Sequence, residues 1–357
     1  MSDIRFERRG AVGLVTLDRP KALNALSHDM VRRMRTALDE WATDPEVAQV
    51  VLRGAGERAF CAGGDVRAIW ALGRAGRIEE ARQFFRDEYA LNLAISRYPK
   101  PFISLVDGLC FGGGFGLSGH GRFRVAGERV GFAMPEIAIG LYPDVGAGFV
   151  LPRLPGWSGI WLGLIGARIG LSDAMALGLY SHHVPAERWD DLVEALAAGD
   201  SAGDVLDRFA AVPPLPSLAP LYPFIDRVFA GGSVAAILAA LDHAAAGEGI
   251  EAEFAALQAQ TLRRGSPTAV ALAFTHLKRG LGLDLAGCLT EEFRAMSRIL
   301  AGPDFYEGIR ALLIDKDGAP RWQPARLEEV DLAAIDRMFA EPLADELVLP
   351  DTAPVTS

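Results

Sequence analysis

Ala59-Phe60-Cys61-Ala62-Gly63-Gly64-Asp65 ends a Gly-rich stretch that begins at Gly54-Ala55-Gly56, directly after the apolar run Gln49 to Arg53. The run reads as a buried strand and the glycines as a sharp turn beyond it. A second stretch repeats the layout. Pro101 to Asp107 reads as a central strand running into Gly108, and Gly112-Gly113-Gly114 opens a small-residue helix through about His120. Each turn leads into a helix and so presents free backbone N–H groups at its positive end. Two such groups aimed at one point make an oxyanion hole, and glycine lets an acyl group approach the main chain closely. Two ordinary tight turns are the alternative on this pattern alone.

Outward from these turns, the first half alternates strand-like and helix-like segments. Arg5 to Arg9 and Val12 to Asp18 read as strands joined at Gly10, and Ser27 caps a helix in which Met30, Met34, Leu38 and Trp41 share a face. Phe123 to Ala126 reads as a further strand, and Gly146 to about Leu196 as helical. The Pro-rich stretch Val212 to Pro223 reads as a linker into a helical C-terminal third. Its helices are predicted over Val234 to Ala245, Glu251 to Arg264, Pro267 to Lys278 and Thr290 to Leu300. A helix from about Glu79 to Tyr98 carries Phe84, Glu88, Leu91 and Ile95 on one stripe, so Glu88 lies on an apolar face. A carboxylate there is paired, raised in pKa or turned to a cavity, because an unpaired buried charge is too costly to keep; a partly exposed stripe edge or a structural ion pair is the alternative.

Half of the 357 residues are hydrophobic, enough for a substantial core. The formal net charge of -10 argues against a nucleic-acid partner, while a local arginine cluster could still hold a small polyanion. No run of about 18 apolar residues suggests a membrane span, and the charged N-terminus predicts a cytoplasmic location. Cys61, Cys110 and Cys288 are widely spaced and show no zinc or disulfide pattern, so no metal is expected.

Gly114-Phe115-Gly116-Leu117-Ser118-Gly119 fits the dinucleotide pattern G-x-G-x-x-G, but it comes a third of the way along the chain with only Glu136 as a loose acidic match. Gly116-Leu117-Ser118-Gly119-His120 comes near a nucleophile elbow without matching it, and the histidines form no triad order. The apolar stretch from Phe132 to Gly146 carries two acids, Glu136 and Asp144. Two carboxyl groups in apolar surroundings are pushed upward and apart in pKa, which gives one site both an acid and a base. Alternatively each caps a turn or pairs with Arg122, Arg124 or Arg153.

Taken in order, Phe60-Cys61-Ala62-Gly63-Gly64-Asp65, Gly112-Gly113-Gly114 and Met134-Pro135-Glu136 resemble the crotonase, or enoyl-CoA hydratase and isomerase, superfamily. The resemblance implies an α/β fold, a crotonase-like spiral of strand-strand-helix turns with a helical C-terminal region. It implies oxyanion N–H groups at Gly64 and Gly113, with Ala62 and Asp65 beside the substrate. Hydratases of the family carry a glutamate three residues after the second glycine of the Gly-Gly-Gly turn; here that position is Gly116. Phe85-Arg86-Asp87-Glu88-Tyr89, Ile139 to Gly146 and Asp304 to Asp317 resemble the 3-hydroxyisobutyryl-CoA hydrolase branch. That similarity implies substrate contacts at Glu88, Gly113, Glu136 and Asp144, with Glu136 and Asp144 catalytic.

The function so implied is hydrolysis of a short 3-hydroxyacyl-CoA in valine breakdown, with no cofactor, since CoA is part of the substrate. An enoyl-CoA hydratase or isomerase with Asp144 replacing the missing glutamate is the alternative, and an inactive acyl-CoA-binding protein a third. The predicted organisation is a core with the acyl-CoA site over 1–211, a helical region over 212–349 and a disordered tail over 350–357. Related enzymes form trimers or hexamers; the other arrangement left open is a C-terminal third folded back over its own subunit.

Overall fold

The structure, a computed structural model, describes residues 3–349, so the tail expected over 350–357 lies outside the described residues. An antiparallel hairpin of β1 (Ile4–Arg9) and β2 (Val12–Leu17) opens the chain. Helix α1 (His28–Thr43) then crosses to β3 (Gln49–Gly54), parallel to β2. Ser27 starts α1 by accepting the Met30 N–H at 3.3 Å, and Met30, Met34 and Leu38 are buried as their spacing predicts.

From β3 onward one step recurs: a strand joins a large sheet, a three-residue strand follows in a small sheet, and a helix or turn carries the chain back. β3 is followed by β4 (Ala59–Cys61) and helices α2 (Val66–Arg74) and α3 (Ile78–Ser96). β5 (Phe102–Val106) is followed by β6 (Leu109–Phe111) and helix α4 (Gly113–Ser118), and β7 (Phe123–Ala126) by β8 (Gly131–Ala133). With β9 (Ile169–Gly170) and β10 (His182–His183) added, the large sheet runs β1-β2-β3-β5-β7-β10 and the small one β4-β6-β8-β9. This is the expected strand-strand-helix spiral. β4, β6 and β8 are mutually parallel, so the segments leaving their C-terminal ends emerge side by side.

Both faces of the large sheet are covered, and its inner strands β2, β3 and β5 accordingly read as apolar runs. Val15, Leu17, Val50 and Leu52 face the main core, whereas Val12, Leu14, Val51 and Ile103 pack against Leu192, Val193, Leu196 and Leu206 on the other side.

Two sequence expectations change here. The stretch from Gly146 to Leu196 is not purely helical, because β9 and β10 lie within it. Two residues are too short a strand to leave a period, and pairing to β8 and β7 makes them strands. The expected linker also ends sooner. A helix covers Tyr222–Phe229 with Pro223 in its first turn, where a missing N–H costs nothing. Buried Asp173 anchors the approach by accepting from Leu218 N–H at 2.9 Å and from the Ser217 and Tyr222 hydroxyls. The C-terminal helices fold back over the chain's own spiral and share its core through Phe293, Met296, Phe305 and Phe339. Among the described residues no helix is long and apolar enough to cross a membrane.

Candidate active site

The chain leaving β4 forms Ala62-Gly63-Gly64, that leaving β6 forms Gly112-Gly113, and that leaving β8 runs through Pro135 to Glu136. Because the three strands are parallel neighbours, all three segments meet at one cavity of about 400 Å³. Ala62, Gly64, Gly113, Glu88, Glu136 and Asp144 all line it.

The two glycine turns converge. A methyl group added at Gly113 would stand 3.1 Å from the Gly64 amide nitrogen, and one added at Gly63 would stand 3.6 Å from the Gly113 nitrogen. Among the described residues neither the Gly64 nor the Gly113 N–H has a protein acceptor. Gly113 is the first residue of α4, so its N–H has no carbonyl one turn back to bond. Gly112 holds φ at +45°, a conformation that favours glycine. Its missing side chain also makes room for Glu136, whose Oε1 lies 2.6 Å from where a Cβ would be.

Three acids surround these amides, and all are buried: Glu88 is 2 % exposed, Glu136 7 % and Asp144 6 %. Burial pushes Glu136 up to about 8, helped by the nearby Asp144 charge. Asp144 is pushed up to about 7 by burial and by Glu292, while the Tyr89 hydroxyl, donating to Asp144 Oδ2 at 2.6 Å, pulls it back. Burial, then Asp144, Glu136 and Glu292, holds Glu88 well above the carboxylate range. Among the described residues, Glu88 Oε1 and Glu136 Oε2 have no hydrogen-bond partner. The arginines offered as partners are engaged elsewhere: Arg153 donates to the carbonyls of Phe149, Gly280 and Leu283, Arg124 to those of Leu179 and Gly121, and Arg122 lies over the Phe123 ring.

Asp65 does not line the cavity. It caps α2 by accepting the Ala68 N–H at 3.2 Å and pairs with Arg19 at 2.7 Å. Ser118 is buried within α4 and donates to the Gly114 carbonyl, so it presents no nucleophile to the cavity. Among the described residues no group of three or more His, Cys, Asp and Glu is arranged to hold a metal ion.

Sequence reading missed several contributors. Asn92, one turn beyond Glu88 on α3, is buried against Gly116, and both its amide atoms lack a partner among the described residues. An added methyl at Gly116 would stand 2.9 Å from Asn92 Nδ2 and 2.8 Å from Val145 Cβ. Leu312 and Leu313 close the cavity from the C-terminal region, where the chain widens into a π-helical turn over Arg310–Ile314. Arg67 and Trp70 of α2 tie that segment down by donating to the carbonyls of Leu313 and Tyr306. The i, i+4 spacing of Glu88 and Asn92 on a helical stripe could have signalled the first, and Leu312 and Leu313 fall within the Asp304 to Asp317 stretch noted for its resemblance.

The sequence pattern described as enoyl-CoA hydratase/isomerase matches residues 12–339. The chain belongs to this family. It is the crotonase superfamily to which the glycine turns and the Met-Pro-Glu segment pointed. Relatives of known name include the mitochondrial 3-hydroxyisobutyryl-CoA hydrolases of Danio rerio, 42 % identical over 95 % of this chain and 90 % of that one, and of Homo sapiens, 39 % identical over 94 % and 88 %. Among solved structures, a carnitinyl-CoA dehydratase from Mycobacterium thermoresistibile matches with a TM-score of 0.91 and 39 % identity, covering 99 % of this chain and 100 % of that one. An enoyl-CoA hydratase from Rhodobacter sphaeroides 2.4.1 matches at 0.89 and 41 %, covering 98 % and 100 %. The family therefore processes CoA esters in these relatives under more than one reaction name, and the site has to separate them.

Proposed function

We propose that this chain is an acyl-CoA thioester hydrolase that cleaves 3-hydroxyisobutyryl-CoA, or a similarly short 3-hydroxyacyl-CoA, to the free acid and CoA in valine breakdown. The observation that carries the reading is Gly116. Hydration of a double bond needs two placed groups to handle water and proton. At Gly116 the first of these has neither a residue nor the space for one, since Val145 and Asn92 occupy it. Hydrolysis needs an oxyanion site and one base beside it, and Gly64, Gly113 and Glu136 supply that set. The relatives named as 3-hydroxyisobutyryl-CoA hydrolases support the same choice.

In this scheme the thioester oxygen accepts from the N–H groups of Gly64 and Gly113. The Glu136 carboxylate takes a proton from a water whose oxygen bonds to the thioester carbon, or attacks that carbon itself to give a mixed anhydride that a water then opens, releasing the free acid and returning the Glu136 carboxylate. The C–S bond then breaks, and CoA leaves as a thiolate that takes up a proton. Asp144 hydrogen-bonds the substrate 3-hydroxyl and orients Glu136, while Glu88 shapes the wall beside Gly113. CoA enters as part of the substrate, and the scheme calls on no cofactor.

Following free thiol during incubation with 3-hydroxyisobutyryl-CoA, 3-hydroxypropionyl-CoA and crotonyl-CoA tests the reading. Turnover of either 3-hydroxy ester at roughly 1 s⁻¹ or faster, with crotonyl-CoA left intact, is the expected result. A hydratase or dehydratase reading draws on the names of the two solved structures; it would be upheld by consumption of crotonyl-CoA without thiol. We also propose a cytoplasmic location. Since the vertebrate relatives are named mitochondrial, cell fractionation decides between the compartments.

A further inference from the structure

Behind the acid loop, two side chains from the C-terminal region meet out of reach of solvent. Glu292, on the helix Leu285–Ile299, and His276, on the helix Pro267–Gly280, are both fully buried, with Glu292 Oε1 2.8 Å from His276 Nε2. Phe339 stacks on the His276 ring at 5.4 Å and Tyr142 meets it edge-on. A buried ionisable pair is a poor stabiliser compared with apolar packing of the same volume. What this one grips is informative.

Glu292 Oε2 accepts the Gly146 N–H at 2.8 Å. On the other side, His120 Nε2 donates to the Val145 carbonyl at 2.7 Å. That carbonyl and that N–H belong to one peptide unit, held from both ends, next to Asp144. Val145 is a β-branched residue at φ +53°, a strained conformation that persists only where its surroundings enforce it. The Tyr142 hydroxyl donates to the Glu292 backbone carbonyl at 2.8 Å, tying the loop to the same helix turn two residues before Asp144.

We propose that Glu292 and His276 are positioning residues for Asp144: with His120 they clamp the Val145–Gly146 peptide, fixing where the Asp144 carboxyl stands, and Glu292 sets a carboxylate behind it. The proposal rests on the hydrolase reading above. After burial, Glu292 is the largest influence keeping the Asp144 proton on. Other titratable groups face Glu292 as well: Tyr142 in the loop, Glu88 and Tyr89 on α3, His120 after α4, His276, and Cys288 on its own helix. Nearby cations are committed: Arg279 pairs with Glu291, and Arg82 and Arg86 lie over Phe293 and pair with Asp345. The helix Leu332–Ala340 presents Phe339 to the pair.

Two variants of the full-length protein separate reach from charge, with thiol release from 3-hydroxyisobutyryl-CoA followed as kcat and KM across pH and melting checked for each. Glu292→Gln keeps an acceptor for the Gly146 N–H and loses the charge, so Asp144 gives up its proton more readily. The limb of the kcat/KM profile near pH 7 then moves to lower pH by about half to one pH unit, with kcat within about threefold. Glu292→Asp keeps the charge and draws back by one methylene, so kcat falls about 10- to 100-fold while KM and the limb stay in place. If both variants fold and both keep the wild-type kcat and profile, the pair is packing and the proposal is wrong. Should neither fold, His120→Ala frees the other end of the peptide: a fall in kcat of about tenfold or more at steady KM supports the clamp, and an unchanged kcat overturns it. Wild-type protein that releases no thiol from any 3-hydroxyacyl ester is a different failure, which removes the hydrolase reading and this proposal with it.

Discussion

One wall of the cavity is main chain and the other is side chain. On the first, Gly64 and Gly113 offer backbone N–H groups from turns whose geometry is set by local sequence, with glycine wherever a Cβ would intrude. On the second, Glu136 and Asp144 stand on an apolar loop held from behind by His120, His276 and Glu292, the last two more than 100 positions farther along the chain. A wall of amides needs only shape, whereas a wall of buried acids needs shape and a controlled proton count. The first can be written in a short motif. The second has to be enforced by contacts from elsewhere, and it carries cost: two raised carboxyl groups and one strained valine.

Mutations on the two walls should therefore fail differently. The largest effect is expected from Glu136→Gln, which keeps shape and removes the base: kcat should fall by about 10⁴-fold or more with binding of a CoA ester nearly intact, measured by thiol release and by titration calorimetry. The same variant should be more stable than the wild type. Burial holds Glu136 at about 8 against 4.5 for the free group. Between those values the native state binds more protons than the unfolded one, so stability falls as pH rises through that window. Glu136→Gln should melt with the wild type near pH 4.5 and above it at pH 8, by roughly 2–4 kcal/mol. Identical melting at both pH values would mean that the acid is not buried at all.

Next in size, Gly113→Ala fails by shape alone, since the new methyl would lie 2.5 Å from Glu88 Oε1 and 3.1 Å from the Gly64 nitrogen. Loss of about 100- to 1,000-fold in kcat/KM is expected, with the pH profile unmoved. A shifted profile there would blur the division between the walls. Tyr89→Phe acts on the proton count in the opposite sense to Glu292→Gln. Without the hydroxyl at 2.6 Å the Asp144 carboxylate loses its donor, so its limb should move above about 7, with roughly a three- to tenfold loss at neutral pH. The smallest effect is expected at Asp65, which caps α2 outside both walls. Asp65→Ala should cost about 1 kcal/mol in stability, read by denaturant unfolding, and leave kcat/KM within about threefold.

Much of the spiral was legible because its long elements carry strong periods. The faces of α1 and α3 and the helices Val234–Ala245 and Ile250–Arg264 follow from apolar spacing within a residue or two. Helical phase placed Glu88 on the apolar stripe but left a partly exposed edge or an ion pair open, and the structure buries it. The three-residue strands β4, β6 and β8 did not, although they deliver the site, because three residues show no alternation and become strands only by pairing with one another. Asp65 illustrates the same limit from the other side. A motif places it next to Gly64 in sequence, while its side chain turns away to cap α2 and meet Arg19.

By itself the sequence determined which chemistry was available: two glycine turns after buried strands, acids in apolar surroundings, and a glycine where hydratases carry a glutamate. The first two are properties of residue type and short spacing, the third is what the family resemblance implies, and all survive without coordinates. Only the tertiary structure decided that the two glycine turns line one cavity, that among the described residues Glu136 and Asp144 lack arginine partners, and that Glu292, backed by His276, reaches Gly146 from the far end of the chain. The reason is physical: convergence, desolvation and the gripping of a strained peptide depend on distances between elements far apart in sequence, which no local pattern records.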